Sequence, residues 1–233
     1  MVIAINTHTT TESIRPASVP SNDAEQVTEV TITHYADPFS PWSAAFQSVL
    51  SELQIRYGNR LRIDYKMGGM ARNVSQWIEE QGFDDESIVE WIDGVADSSK
   101  TSIDSDFIAK TGVKTTWVAA LAFTAAMKHD AESAIRFLNR MITGFQVESQ
   151  SATRDTITRF ANESGLDGSR VVREAFFDSN ISDFAWQRNG MELAGLGFDS
   201  ILISDGTNQR VVEKEFSVDA YVQIIDEIAP RLS

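Results

Sequence analysis

The chain of 233 residues contains no cysteine. This absence excludes disulfide bonds, thiolate metal sites and cysteine nucleophiles. The three histidines, His8, His34 and His129, are too dispersed in the sequence to indicate a metal cluster, so we expect no metal site. The sequence also lacks an apolar run of the roughly 18 to 20 residues that a membrane-spanning helix requires, and no membrane partner is expected.

Positive charge is scarce, with 20 Lys and Arg residues against 34 Asp and Glu residues and a net charge of −14. Such a surface repels phosphate backbones and anionic membranes, which argues against nucleic-acid binding. An acidic, lysine-poor surface is typical of halophilic proteins. A high net charge can also serve solubility alone, and both interpretations stay open at this point.

The first residues of the chain form a polar segment. Residues 1–26 are rich in Ser and Thr and contain Pro16 and Pro20. They lack the basic start and apolar stretch of a secretory signal. The segment therefore predicts a flexible N-terminal tail and a cytoplasmic protein.

A strand, a helix and a second strand are predicted next. Residues 28–35 alternate and are rich in β-branched side chains, which is typical of a strand. From Trp42 the apolar positions follow a helical period. Residues 60–67 alternate again. Because the connection contains a helix, the two strands are expected to pair in parallel.

The remainder of the chain reads as helices followed by a hairpin and a last helix. Residues 71–184 show amphipathic helical patterns and little strand character. Residues 115–129 are strongly apolar and rich in small side chains, which predicts a buried helix. Helical patterns also favour core positions for four tryptophans, Trp77, Trp91, Trp117 and Trp186. Residues 198–203 and 209–216 read as a β-hairpin around an Asp-Gly turn, and residues 218–232 as a helix.

This order predicts an α/β fold, more specifically a thioredoxin-like fold with an inserted all-helical domain. The thioredoxin-like domain would comprise residues 27–70 and 185–233, and the helical insertion residues 71–184. Element order alone does not distinguish this arrangement from other α/β folds.

Two segments resemble the DsbA-like thioredoxin family, in particular proteins of the FrnE and YjbH type. In that family a strand leads to Asp-Pro-x-Cys-x-Trp-Cys, then a helix, then a strand that ends in Met-Gly-Gly. Within THYADPFSPWSAAFQSVLSELQIRYGNRLRIDYKMGGM (33–70), Asp37-Pro38, Trp42 and Met67-Gly68-Gly69 match this pattern. The segment GLGFDSILISDG (195–206) is similar to the family's cis-proline strand.

The chain departs from the family at three positions. Ser40 and Ser43 occupy the places of the cysteine pair, and Asp199 occupies that of the cis-proline. The resemblance implies a thiol-disulfide oxidoreductase, but serine forms no disulfide, so dithiol exchange is excluded. We favour a natural loss over an engineered replacement of the cysteines, which would leave Asp199 unexplained. A trans peptide is predicted before Asp199, because a cis bond to a non-proline residue is costly.

Three interpretations of Ser40-Pro41-Trp42-Ser43 stay open. In the first, Ser40 and Pro41 only begin a helix, as N-cap and first helical residue. In the second, the segment is similar to that of kappa-class glutathione transferases and 2-hydroxychromene-2-carboxylate isomerases. That resemblance implies that the Ser40 hydroxyl stabilises the thiolate of glutathione or γ-glutamylcysteine as co-substrate.

The third interpretation is a redox-inactive protein with a binding or adaptor role, and it is the leading hypothesis. The groove between the Ser40 turn and the strand at Phe198 would hold a peptide or protein client without any cofactor. The predicted binding residues are Pro41, Trp42, Phe198, Asp199 and Ser200, and the former cysteine positions are Ser40 and Ser43. The sequence leaves the oligomeric state open.

Overall fold

Four strands form one mixed sheet at the centre of the protein, which a computed structural model describes over residues 30–230. The strands are β1 Val30–Ala36, β2 Leu61–Met67, β3 Ile201–Ser204 and β4 Gln209–Val212. Their order is β2-β1-β3-β4, with β1 and β2 parallel and the other two pairs antiparallel. This confirms the predicted parallel pair and the predicted hairpin. The predicted tail, residues 1–26 with His8, lies outside the described residues.

The helices fall before, between and after these strands. They are α1 Pro41–Tyr57, α2 Val74–Glu80, α3 Asp85–Ser99, α4 Phe107–Thr111, α5 Trp117–Ala126, α6 Ala131–Ile142, α7 Arg154–Glu163, α8 Gly168–Glu174, α9 Asp178–Leu193 and α10 Val218–Ile228. A 3-10 turn at Gly58–Arg60 follows α1, and a π-helix at Thr143–Val147 continues α6. Helices α2 to α9 all lie between β2 and β3, which confirms the predicted α/β order. The predicted domain boundaries at 70/71 and 184/185 stay a prediction; α9 runs without a break across the second.

The sheet packs one face on α1 and α10. Ile32 of β1, Phe46 and Leu50 of α1, and Tyr221 and Ile225 of α10 are buried together in this layer. Burial of each such side chain contributes about 1.5–3 kcal/mol. The apolar stripe of α1 is therefore what holds the start of that helix against the end of β1.

A second apolar cluster surrounds α5, which was predicted to be a buried helix. Residues Ala119–Ala126 of this helix are all buried, and α6, α8 and α9 pack against it. Its small side chains allow the neighbouring helices to approach closely. Within residues 30–230, no helix is both long enough and apolar enough to cross a membrane.

Trp186 lies on the surface, whereas its helical pattern predicted a core position. Its exposed fraction is 70%. Phe184 and Met191 are the buried side chains on this part of α9. Trp186 follows Phe184 by two positions and therefore lies about 200° around the helix, on the opposite side. The spacing of aromatic residues alone did not reveal which face of α9 is covered.

His34 is a buried polar residue without a polar partner. It lies on β1 beside Tyr65 of β2 and edge-on to Phe46 of α1, with ring centroids 5.9 and 5.4 Å away. Within residues 30–230, neither ring nitrogen has a hydrogen-bond partner. Burial lowers the pKa of His34 to about 3, because the imidazolium would lose its hydration.

The protein should lose stability in mild acid because of His34. The unfolded chain gains a proton here below pH 6.5, while the fold resists it down to about pH 3. The free energy of unfolding should fall by about 1.4 kcal/mol per pH unit in that range. Urea unfolding of wild type and His34→Leu at pH 7, 6, 5 and 4 measures this slope, with His129→Gln as control. A His34→Leu slope equal to the wild-type slope would contradict the prediction.

Candidate functional site

A tight turn connects β1 to α1 and fixes the position of Ser40. The Ser40 N–H donates to the Asp37 carbonyl over 3.0 Å, and α1 begins at Pro41. Ser40 is the N-cap residue and Pro41 the first helical residue, as predicted. The expected use of the Ser40 hydroxyl as a cap is wrong, however, since this side chain makes no capping hydrogen bond.

The hydroxyls of Ser40 and Ser43 instead hold the carboxyl group of Asp199. Ser43 Oγ donates to Asp199 Oδ1 over 2.7 Å, and Ser40 Oγ donates to Asp199 Oδ2. Ser40 and Ser43 have an exposed fraction of 0%, and Asp199 of 7%. A carboxyl group therefore lies at the N-terminus of α1, where the partial positive charge of the helix favours an anion.

The backbone around Asp199 is anchored to β1. Its N–H donates to the Tyr35 carbonyl over 2.6 Å, and the Tyr35 N–H donates to the Ser200 carbonyl over 3.1 Å. Asp199 has a φ of +69°, in the left-handed region that aspartate tolerates better than most residues. Residues 30–230 contain no cis peptide bond, which confirms the trans peptide predicted before Asp199.

Gly68 lets the loop before β3 approach the end of β2. A Cβ atom at Gly68 would lie 2.7 Å from Cβ of Phe198, closer than non-bonded carbons can pack. The absence of a side chain at Gly68 therefore allows Phe198 to lie against the end of β2. From the sequence, Gly68 and Gly69 were predicted only to end this strand in a tight bend.

Asp37 is a structural anchor in this site. Its carboxyl group accepts hydrogen bonds from the Phe39 N–H (2.9 Å), the Met70 N–H (2.7 Å) and Thr116 Oγ1 (2.6 Å). The sequence favoured a role for Asp37 in capping the turn over a role as a general base, and the hydrogen bond from the Phe39 N–H is such a turn contact. The Asp37 N–H in turn donates to Ser43 Oγ over 2.9 Å. Burial raises the pKa of Asp37, and these three donors oppose the rise.

Gln146 supports the turn from the π-helix, and the sequence offered no signal for it. Its Nε2 donates to the carbonyls of Pro38 and Ser40, both over 2.9 Å. These two carbonyls lie just before α1, so a residue more than 100 positions away fixes the approach to that helix. Pattern analysis placed this region only within a helix.

Asp199 has an unusual acidity for a carboxyl group. Burial, with a smaller contribution from the charge of Asp37, raises its pKa to about 7, while the hydrogen bonds from Ser40 and Ser43 oppose the rise. A proton is therefore gained or lost at Asp199 near neutral pH.

An open cleft of about 340 Å³ borders Asp199. Its walls are mostly aromatic, and we call it the aromatic cleft. It is lined by Trp42, Phe46, Trp77, Gln81, Phe83, Trp91, Gly197, Phe198, Asp199, Ser200, Glu213 and Lys214. The rings of Trp77 and Phe198 lie 6.1 Å apart, and those of Phe83 and Trp91 lie 5.5 Å apart. The first contact joins two walls of the cleft, and the second lies within one wall.

The predicted site residues divide between the cleft and the layer behind it. Those that line the cleft are Trp42, Phe198, Asp199 and Ser200. Those that are buried and do not line it are Ser40, Pro41 and Ser43. Phe39, which the sequence left open between an exposed aromatic of the groove and a core residue, belongs to the core and stacks on Phe145 with centroids 4.4 Å apart.

Three aromatic residues that line the cleft were not predicted to be site residues. Trp77 and Trp91 follow helical patterns and were interpreted as core residues, and Phe83 follows a glycine in a loop. Only the packing of α2 and α3 beside the Phe198 loop shows that these side chains share a cleft. Within residues 30–230, no group of His, Asp and Glu side chains is arranged to hold a metal ion.

A family model described as Thioredoxin matches residues 34–187, well over half of the chain. The chain belongs to the thioredoxin family. The matched range includes Ser40 and Ser43. The match confirms the resemblance to DsbA-like thioredoxin proteins and the thioredoxin-like fold with a helical region.

Known proteins of this fold differ in activity. The chain is similar to the ClpXP adapter protein SpxH of Halalkalibacterium halodurans, with 24% identity over 57% of this chain and 44% of that protein. It thus spans less than half of that relative. The cytosolic disulfide reductase DsbM of Pseudomonas aeruginosa has a TM-score of 0.68 at 18% identity, over 87% of this chain and all of that one. A 2-hydroxychromene-2-carboxylate isomerase has a TM-score of 0.58 at 13% identity, over 87% and 95%.

Replacement of Asp199 by Asn should change how stability depends on pH. The folded wild type keeps a proton on Asp199 up to about pH 7, whereas the unfolded chain releases it near pH 3.8. The contribution of Asp199 to the free energy of unfolding should therefore fall as pH rises from 4 to 7, by at most about 1.4 kcal/mol per unit, opposite in sign to the contribution of His34. The amide of Asp199→Asn stays neutral, so this fall is absent.

Urea unfolding at pH 5 and pH 8 measures the difference between the two proteins. It should shift in favour of Asp199→Asn at the higher pH, because only the wild type must bury a charge there. Asp155→Asn, which removes an exposed carboxyl from α7, should show no comparable shift. A constant difference between wild type and Asp199→Asn would disprove the raised pKa.

Proposed function

We propose that this chain is a redox-inactive DsbA-like protein that binds segments of client proteins in the aromatic cleft and acts as an adaptor. The observation that carries this proposal is the contact of Ser40 and Ser43 with Asp199. Two hydroxyls and a carboxyl group fill the place where the family carries its reactive cysteine pair, and the cleft beside them is open.

The chemistry of this place supports binding rather than electron transfer. A disulfide is reduced by a thiolate, and the chain contains no cysteine to supply one. Ser40 and Ser43 are fully buried, and both hydroxyl protons are directed to Asp199. These residues stabilise the loop that carries Phe198 and Ser200, which is a positioning role.

The shape of the aromatic cleft suits one or two large side chains of an extended segment. Its volume of about 340 Å³ is at the lower end of the range for ligand sites. Aromatic walls offer a large contact area with few rotatable bonds, which lowers the entropic cost of binding. Gln81 and Ser200 add polar groups that can accept or donate hydrogen bonds.

The similarity to a ClpXP adapter protein supports the adaptor role. An adaptor needs a surface for its client and no chemistry of its own. This chain meets that requirement, because it has the family fold and an open cleft but no cysteine.

The thiol-dependent alternative at Ser40 has less support from the geometry. A bound thiolate would have to reach a fully buried hydroxyl that already donates to Asp199. It would also meet the charge of that carboxyl group whenever Asp199 is ionised. Binding of glutathione or γ-glutamylcysteine stays a prediction that requires Asp199 to move.

Peptide selection tests the binding role. A displayed peptide library is selected on the wild-type protein, and the enriched peptides are titrated by fluorescence anisotropy. Trp91→Ala should weaken their binding at least about tenfold, because truncation of an aromatic hot-spot residue in an interface costs about 2 kcal/mol or more. Trp186→Ala removes an exposed tryptophan outside the cleft and serves as the matched control. Equal binding by both variants would place the client elsewhere.

The adaptor role has a direct readout in proteolysis. A reporter protein that carries a selected peptide should be degraded faster by ClpXP when the wild-type chain is present, and no faster with Trp91→Ala. An unchanged rate with the wild-type chain would refute the adaptor role and leave the binding role to the titration.

The absence of thiol chemistry is tested separately. The chain should leave the reduction of insulin by dithiothreitol at the uncatalysed rate, and glutathione and γ-glutamylcysteine should not alter its tryptophan fluorescence. Asp199→Gly is measured alongside the wild type, because glycine fits the positive φ and the variant removes the carboxyl group from both serines. Saturable thiol binding by the wild type that is lost in Ser40→Ala would favour the thiol-dependent alternative.

A further inference from the structure

We propose that the aromatic cleft selects cationic client segments, in which a large apolar side chain is flanked by Lys or Arg. This inference rests on the proposed binding function and specifies the chemistry of the client. It follows from the charge of the residues that surround the cleft.

One wall of the cleft comes from a strongly acidic stretch of the chain, although its lining side chains are themselves uncharged. It is formed by Trp77, Gln81, Phe83 and Trp91, from α2, α3 and the loop between them. The stretch 73–99 that contains these residues has eight acidic residues and no Lys or Arg. The acidic residues are Glu79, Glu80, Asp84, Asp85, Glu86, Glu90, Asp93 and Asp97. They provide a negative field beside apolar contact surface.

These carboxylates have no cationic partners of their own. Within residues 30–230, none of the ion pairs involves an acidic residue of the stretch 73–99. Glu80 accepts a hydrogen bond from Gln76, and Asp84 accepts one from Ser87 at the start of α3. Both partners are neutral, so the negative charge of this wall is available to a bound cation.

The opposite wall already shows an ammonium group over an aromatic face. Nζ of Lys214 lies 5.7 Å from the ring centroid of Trp42, and Trp42 stacks on Phe216. Lys214 is exposed and is the only cation among the residues that line the cleft. A lysine or arginine of a client can make the same type of contact with Trp42, or with the aromatic faces of the acidic wall.

Other occupants fit these features less well. An acidic segment would be repelled by the stretch 73–99, and a nucleic acid by the net charge of −14. A small organic cation would satisfy the charge but would leave most of the aromatic surface uncovered. A protein segment with adjacent apolar and basic side chains uses both.

Three fluorescein-labelled peptides test the selectivity. Each has Gly and Ser flanks around a core of Lys-Phe-Lys, Glu-Phe-Glu or Lys-Ala-Lys, and anisotropy is measured in 0.15 M and 1 M NaCl. The Lys-Phe-Lys peptide should bind at least about tenfold more tightly than each of the others in 0.15 M salt. Its advantage over Glu-Phe-Glu should shrink in 1 M salt, where charges are screened beyond about 3 Å.

Charge reversal on the protein identifies the wall that is responsible. The double variant Glu80→Lys and Glu90→Lys should bind Lys-Phe-Lys about tenfold less tightly and should gain affinity for Glu-Phe-Glu. The double variant Glu52→Lys and Asp155→Lys has the same net charge but alters exposed residues that lie outside both the stretch 73–99 and the cleft lining. It should change both affinities less than about threefold.

The outcomes separate this inference from the proposed function. Binding of Glu-Phe-Glu as tight as that of Lys-Phe-Lys would overturn the charge selectivity and leave the cleft as a binding site. Equal binding of Lys-Ala-Lys would show non-specific attraction and would also overturn it, as would an equal loss in the two double variants. If none of the three peptides binds, the inference is wrong, and the library selection with Trp91→Ala still decides whether the cleft binds clients.

Discussion

The carboxyl group of Asp199 is buried between two serine hydroxyls, and the arrangement of the site depends on this contact. A buried carboxyl group is costly unless it is hydrogen-bonded. Here the bonds form a chain that runs from Thr116 through Asp37 and Ser43 to Asp199, which also accepts a bond from Ser40. Every member depends on its neighbours, since the loss of one leaves another buried polar group without its partner.

This hydrogen-bond chain joins parts of the protein that are far apart in sequence. It connects the end of β1, the start of α1, the loop before α5 and the loop before β3. The carboxyl group of Asp37 also accepts from the backbone after β2 at Met70. The strand ends and the two helix starts are thereby held in one geometry, and the Phe198 loop closes one side of the aromatic cleft.

The N-terminus of α1 holds a carboxyl group of the protein itself. A helix N-terminus stabilises an anion, whether a thiolate or a carboxylate. In this chain the carboxyl group of Asp199, from the loop that faces α1, occupies the helix start. Part of the accessible surface next to it comes from Trp77 of α2, Trp91 of α3 and the loop between these helices.

The sequence by itself determined the order of strands and helices, the parallel pair and hairpin, and the family, because these depend on local periodicity, turn residues and a motif of adjacent positions. It also predicted Ser40, Ser43 and Asp199 to be site residues. Only the tertiary structure decided that Ser40 bonds to Asp199 rather than capping its own helix, and that Trp77 and Trp91 line a cleft while Trp186 is exposed. The partner of a hydroxyl group and the buried face of a helix are set by contacts between residues that are far apart in the chain. A local sequence pattern contains no information about these contacts.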